Sequence, residues 1–387
     1  MGKEKDLDLN ILYIGTYRDG GTGYCRAATH NILALDKLGV NVICRPAIYG
    51  EVHQPLSPRI EELEKNSSDA IDFTVHHYLP DNFSYSRAGG CNVGMFYFET
   101  TRAPALWVRK SEILDGIIFP SQQAVQNFKL SPLYDGQPLE HCPLPCDINE
   151  YLMPHPVLDK FAHMKASGRF LFYTVGECTR RKNISGLIRA YLSEFGPQDH
   201  VGLVIKTNQA GQSPRAVGAY IEKIVAETLA GLKIVGAYPP IYLQCEALSR
   251  NELLSMHSMC DCFVMPSYGE SWSWGAFDAM ALGKTPIVTA LDGFLEYIDN
   301  DTGWLVPGRE ETVFGTDNLH PILYSKQQNW ISPDLLALRA CMREAYANKA
   351  EQERKSKNGL KRALQFNEEA VGRKLLRALN NVKRSCN

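Results

Sequence analysis

The stretch that decides the fold is Pro266-Ser-Tyr-Gly-Glu270-Ser-Trp-Ser-Trp-Gly-Ala-Phe-Asp278-Ala-Met-Ala-Leu-Gly283-Lys-Thr-Pro286-Ile-Val288. Just before it, Cys262-Phe-Val-Met265 reads as a short buried strand, and Pro266 to Gly269 as a turn. Ser271 or Ser273 is placed to cap a helix running to Gly283, and Pro286-Ile-Val-Thr opens the next strand. A helix that starts just beyond a strand's carboxyl end presents free backbone N–H groups and the positive end of its dipole. That is a ready seat for a phosphate. Glu270 falls before this helix and Asp278 inside it, eight positions on. Carboxylates repel phosphate, so acids flanking one suit hydroxyl groups, as on a sugar and a ribose. The pattern points to a sugar nucleotide.

The segment resembles the signature of retaining GT-B glycosyltransferases, especially glycosyltransferase family 4. The family pattern is Glu, seven residues, Glu, then Ala-Met-Ala-x-Gly-x-Pro-(Val/Ile)-Val. Here Asp278 stands for the second Glu, and Ser271 and Ser273 replace the two glycines that usually follow the first. The resemblance is sharp from about 169 to 310 and only topological before that. It implies an α/β fold of the GT-B kind: two Rossmann-like doubly wound domains facing a central cleft, with a C-terminal helix crossing back. It also implies that Glu270 contacts sugar hydroxyls, that Asp278 contacts the ribose, and that amides around Ser273, Trp274 and Gly275 hold the donor diphosphate.

The chain has 387 residues, enough for two domains that each bury a core. Hydrophobic residues make up 44% and charged residues 22%, with a net charge of −2. That balance favours neither nucleic acid nor anionic membrane. No apolar run is long enough to span a bilayer, and the first residues lack the apolar core of a secretory signal. Residue 6 is Asp6, which argues against myristoylation of Gly2. Eleven scattered cysteines without paired spacing read as free thiols. A cytoplasmic location, with peripheral membrane contact left open, is the expectation.

The first unit opens with the strand Leu9–Ile14, a loop from Gly15 to Gly23, a helix ended by Gly39, and the strand Val40–Cys44. Further strands are expected at Ala70–His76, Cys91–Phe98 and Gly116–Phe119, with helices at Ala103–Ile113 and Ala124–Phe128. The N-terminal, acceptor-side domain is assigned to 1–165, with 147–168 as a crossing segment. A fresh strand, Arg169–Val175, starts the nucleotide-sugar domain, 166–345. Its first helix carries Ile184, Leu187, Ile188, Tyr191, Leu192 and Phe195 at helical spacing. Strand Val201–Ile205 follows. The last helices are expected at Asp334–Tyr346 and roughly Glu368–Val382, and residues 346–387 are assigned as a helical segment packing back on the first domain.

Arg181 and Lys182 follow a strand and turn and precede a helix, where cations suit a diphosphate. In the family a Gly-Arg pair is followed five residues later by Lys. Lys182 matches the Lys, but Glu177 stands at the Arg position, and Arg180 or Arg181 is left to supply that charge. Lys206 ends a strand directed at the same donor site. Gly20-Gly-Thr-Gly23, with Gly21, Thr22 and Gly23 as donor contacts, lets backbone approach a ligand. It is not a dinucleotide fingerprint, which would need glycine at Arg26. Leu248–Leu253 resembles the family loop that holds the nucleotide base. Glu99, at the end of Gly94–Phe98, is a catalytic candidate where relatives carry histidine. His76 and His77 are candidate sugar or acceptor contacts.

No metal site is expected: Asp6-Leu-Asp8 and Asp299-Asn-Asp301 imitate the Asp-x-Asp of metal-dependent enzymes but sit wrongly in the chain. No cofactor is expected beyond the nucleotide-diphosphate sugar as co-substrate. The acceptor is left as glycan, lipid, protein or modified nucleic acid. Residues 349–387 hold eleven Lys or Arg against four Asp or Glu, a pattern that usually marks a solvated helix face. The resemblance implies retention without metal. Three alternatives stay open: inversion with Glu99 or His77 as base, an epimerase- or phosphorylase-like enzyme, and a silent binding scaffold.

Overall fold

The computed structural model describes residues 9–49, 56–166, 168–315 and 324–386. The Asp6-Leu-Asp8 and Gly2 expectations lie outside them. The chain divides into two compact units: unit 1 is Met1–Ile148 with Gln365–Asn387, and unit 2 is Asn149–Leu364.

Unit 1 is built on six parallel strands: β1 (Asn10–Gly15), β2 (Asn41–Pro46), β3 (Phe73–His77), β4 (Cys91–Met95), β5 (Gly116–Phe119) and β6 (Leu139–His141). Their order is β2-β1-β3-β4-β5-β6, and every neighbouring pair is parallel. β3, β4 and β5 are buried along their whole length, as a parallel sheet covered on both faces requires. After β1 the chain moves to one side for β2 and returns to the other for β3. The order therefore reverses at β1, and in such sheets ligands bind outside the strand ends at that point.

Unit 2 repeats the plan. β7 (Phe170–Glu177), β8 (Val201–Asn208), β9 (Ile241–Gln244), β10 (Cys262–Met265), β11 (Thr285–Thr289) and β12 (Trp304–Val306) run in the order β12-β11-β10-β7-β8-β9, all parallel. The reversal here lies between β7 and β10. One face of the sheet packs Phe172, Leu203 and Ile205 against Leu187, Ile188 and Tyr191 of the Ile184–Glu194 helix. That apolar stripe is the one legible in the sequence. A separate antiparallel hairpin, β13 (Gly308–Thr312) and β14 (Asn329–Pro333), follows the sheet.

Several expectations need correcting. The domain boundary falls at Ile148 and Asn149 rather than at 165 and 166. The polar stretch from Lys160 is a helix, Asp159–Lys165, that buries Phe161 and Met164. The C-terminal segment is split. Lys349–Ala363 belongs to unit 2, and only the Glu368–Ser385 helix belongs to unit 1. There Gly372 crosses the Gly23–Asp36 helix so closely that a Cβ would lie 2.7 Å from the Ala34 carbonyl oxygen. Buried Glu368 accepts from Lys37 and bonds His30 at 3.1 Å. The expected strand Cys91–Phe98 stops at Met95, and Ala70–His76 begins at Phe73 and includes His77.

Candidate functional site

The loops that leave β7 and β10 meet at the reversal point of unit 2, and hydrogen bonds zip them together. Tyr268 N–H donates to the Arg181 carbonyl at 2.8 Å, and Arg181 Nη1 donates to the Gly269 carbonyl at 2.6 Å. Asn183, in the left-handed conformation with φ 55°, caps the next helix through Gly186 N–H. Its amide also donates to the Pro266 carbonyl at 2.9 Å. The result brings Lys182 Nζ to 2.7 Å from Glu270 Oε1, with Arg181 3.3 Å from the same oxygen. Glu270 is 4% exposed. Burial opposes its charge, but Lys182 and Arg181 outweigh that effect and hold its pKa below the ordinary carboxylate range.

Lys182, Arg181 and Glu270 are thus one cluster. Glu177 is not part of it: its carboxylate accepts from Ala210 N–H at 3.3 Å. Arg180 lies over the Phe314 ring.

The motif helix is Trp274–Ala281, ended by Gly283 at φ 68°. Ser273 occupies its N-cap position but does not cap the helix with its side chain. The reason is local: Ser273 sits at φ 71°, ψ 90°, and its hydroxyl turns to Met265 Sδ at 3.3 Å. Positive φ is the natural place for glycine, which explains why a glycine-bearing pattern fits here. Gly275 lets the helix drop onto β7, since a Cβ there would lie 3.0 Å from the Val175 carbonyl oxygen. Trp274 is half-buried beside Phe277 and Trp272.

Asp278 is 1% exposed, and neither oxygen is idle. Tyr151 donates to Oδ1 at 2.6 Å, and Arg250 reaches Oδ2 at 2.5 Å and Oδ1 at 3.1 Å. The same guanidinium makes two further bonds of 2.7 Å to Glu150. Any ribose contact by Asp278 shares an oxygen already in use. Arg250 opens the Arg250–Met259 helix, where a base-holding loop was expected. Its start is a capping box formed by Ser249 and Glu252. That Ser-x-x-Glu spacing is readable in the sequence and was the signal for the missed Arg250. Nothing in the sequence announces Glu150 or Tyr151.

Lys206 lies inside β8, two residues before its end at Asn208 and not at a strand end as expected, and is 7% exposed; burial pulls its pKa down. In unit 1, Gly21 has φ 80°, and Thr22 caps the Gly23–Asp36 helix through Cys25 N–H at 3.0 Å. His77 is fully buried between two phenols, with Nδ1 2.6 Å from Tyr13 Oη and Nε2 2.6 Å from Tyr97 Oη. Burial lowers its pKa to about 3, so the ring is neutral. His76 is likewise enclosed, by Tyr78 and Asn92. Glu99 is half-buried in the irregular stretch after β4. Among the described residues no group of three His, Cys, Asp or Glu is placed to hold a metal ion. No helix among them is long and apolar enough to cross a membrane.

Residues 245–314, which span the Glu270 motif, match the family model for glycosyl transferases group 1. That stretch is similar to group 1 glycosyl transferases, and the fold is of the GT-B kind. Solved structures share the fold over nearly the whole length of the chain. Sucrose-phosphate synthase from Thermosynechococcus elongatus is 17% identical with a TM-score of 0.64, covering 97% of this chain and 100% of its own. Anabaena HepE in complex with UDP and glucose is 13% identical, TM-score 0.59, covering 96% and 100%. An E. coli trehalose-6-phosphate protein bound with UDP-2-fluoro glucose is 11% identical, TM-score 0.67, covering 96% and 98%. No curated protein sequence matches the chain significantly.

Proposed function

We propose that the protein moves a sugar from a nucleoside-diphosphate sugar to an acceptor hydroxyl, with retention at the anomeric carbon and without a metal ion. One observation carries the reading: the Lys182–Glu270 pair stands at the strand-order reversal of unit 2, beside the N-terminus of the motif helix. Two proteins of similar fold hold uridine nucleotides, as their structures with UDP and UDP-2-fluoro glucose record.

In this reading Lys182, Arg181 and the backbone N–H groups near Gly275 receive the donor diphosphate. The bond from the anomeric carbon to the phosphate oxygen breaks, and its electron pair stays on the departing diphosphate. Fixed positive groups stabilise that growing charge without reorganising. The acceptor oxygen forms the new bond on the face the phosphate leaves, and its proton departs on the released diphosphate. Glu270 accepts from sugar hydroxyls. Retention is favoured over an inverting route through His77, because that ring is enclosed and its pKa, lowered to about 3, makes it a poor general base.

The test is a donor screen by mass spectrometry of the released nucleotide, run with and without EDTA. NMR of the product then gives its anomeric configuration. Release of a nucleoside diphosphate, unaffected by EDTA, with retained configuration is expected. Loss with EDTA that magnesium or manganese restores, or an inverted product, overturns the corresponding part.

A further inference from the structure

The Glu368–Ser385 helix of unit 1 is fastened near its carboxyl end by contacts on both sides of β4. Lys383 Nζ lies 3.5 Å from Asp72 Oδ1 and over the Phe73 ring, at the entrance of β3. The Cys386 thiol donates to the Asp115 carbonyl oxygen at 3.3 Å, at the entrance of β5. Cys91, the first residue of β4, stands between these two points. Its N–H donates to the Asp72 carbonyl at 2.9 Å, and its neighbour Asn92 donates from N–H to Asp115 Oδ2 at 2.6 Å.

The helix itself aims Cys386 at the sheet. Cys386 keeps helical backbone angles, so it shares a side with Val382, four residues earlier. Val382 packs over Gly116, the first residue of β5, where a Cβ would come within 2.5 Å of it. The Cys386 and Cys91 thiols interact directly, the first exposed and the second buried. An exposed thiol can be reached by an oxidant, and a thiol beside it can resolve the product before oxidation goes further.

We propose that Cys91 and Cys386 are a modification site, joined as a reversible disulfide when a peroxide reaches Cys386. The peroxide transfers one oxygen to the Cys386 sulfur, giving the sulfenic acid, and departs as water or an alcohol. The Cys91 sulfur then attacks the Cys386 sulfur. The S–S bond forms, and the sulfenic oxygen leaves as water with the Cys91 proton. Two thiols thus give up two electrons and two protons, and the peroxide takes them. Excess thiol reverses the bond by exchange. Burial and the Asp115 carboxylate push both thiols up, Cys91 to about 12, so the pair reacts slowly and stays reduced without oxidant.

The bond closes a loop from 91 to 386 that contains all of unit 2, Asn149–Leu364. A link across so long a loop takes much freedom from the unfolded chain. It also pins the helix to the sheet from which it is separated in sequence.

The test uses the full chain, reduced and then exposed to hydrogen peroxide in mildly alkaline buffer. After alkylation of the remaining thiols, digestion and mass spectrometry are expected to show a peptide pair linking Cys91 to Cys386. The oxidised protein melts about 5 °C or more above the reduced one, and dithiothreitol reverses both changes. Cys386→Ser, at an exposed position, melts like reduced wild type and gains nothing from peroxide. Cys91→Ala leaves Cys386 without a resolving thiol, so that peroxide carries it on to the sulfinic acid.

Sulfinic or sulfonic acid at Cys386 of wild type, with Cys91 still a thiol, overturns the proposal. A link from Cys386 to another cysteine or to a second chain, or an unchanged melting temperature on oxidation, overturns it as well.

Discussion

Lys182 and Glu270, 88 residues apart in sequence, meet at 2.7 Å with little exposure on either side. Each is provided by a loop at the carboxyl end of a central strand, and the backbone bonds between those loops set their distance. The pair makes Glu270 an acid that stays ionised throughout the neutral range.

Removing one partner strands the other. Lys182→Met leaves a buried carboxylate with Arg181 alone and is expected to cost about 3 kcal/mol of stability. The Lys182→Met/Glu270→Gln double variant should recover most of that cost in urea melts. Turnover separates role from stability: Glu270→Gln, well folded, is expected to lose about a hundredfold or more with saturating donor.

Asp278 gives a different outcome. Its oxygens serve Arg250 and Tyr151, so Asp278→Asn is expected to destabilise by about 3 kcal/mol, and Tyr151→Phe by about 1 kcal/mol. A comparison of ribose and 2′-deoxyribose donors on Asp278→Asn checks the ribose expectation. Because those oxygens are engaged, any wild-type preference for ribose should persist in the variant.

His77 ties unit 1 to pH. An unfolded histidine binds a proton below about pH 6.5, whereas enclosed His77 stays neutral down to about 3. Between those values the unfolded chain holds one more proton, so stability falls as pH falls through this window. The slope reaches about 1.4 kcal/mol per pH unit. His77→Gln should flatten this dependence in urea melts at pH 7.5, 6 and 5.

The β13–β14 hairpin braces the motif loop. Trp330 stacks on Tyr268 with centroids 5.6 Å apart, and Ile331 N–H donates to the Tyr268 carbonyl at 2.9 Å. Trp330→Ala is expected to cost about 3 kcal/mol or more, and Trp330→Phe distinctly less. Thermal melts with turnover measured alongside will show whether the loop loosens with the hairpin.

The sequence carried the parts that obey short-range rules. Apolar runs marked β5 and β10, the stripe from Ile184 to Phe195 marked a helix face, and the turn residues around Pro266 and Gly283 bounded the motif helix. Lys182 and Glu270 were each legible as strand-end residues, but their direct pairing was not. What stayed hidden depends on distant partners. Tyr13 and Tyr97 close around His77 from β1 and from just past β4, and no local pattern records that. Asp278 looked available because Arg250 and Tyr151, far away along the chain, do not appear in its own segment. Ser273 looked like a cap, but the backbone turned its hydroxyl to Met265.

Unit 1 is discontinuous: the Glu368–Ser385 helix that covers β4, β5 and β6 is encoded beyond all of unit 2. Val382 fills the space over Gly116, where a Cβ would come within 2.5 Å of it. During synthesis the ribosome delivers all six strands of the first sheet early, yet part of its cover arrives only after the second sheet has been translated. Unit 2 can close first, while the nascent β1–β6 segment waits with an apolar face unsealed. The unit that begins first in the message is thus the one completed last.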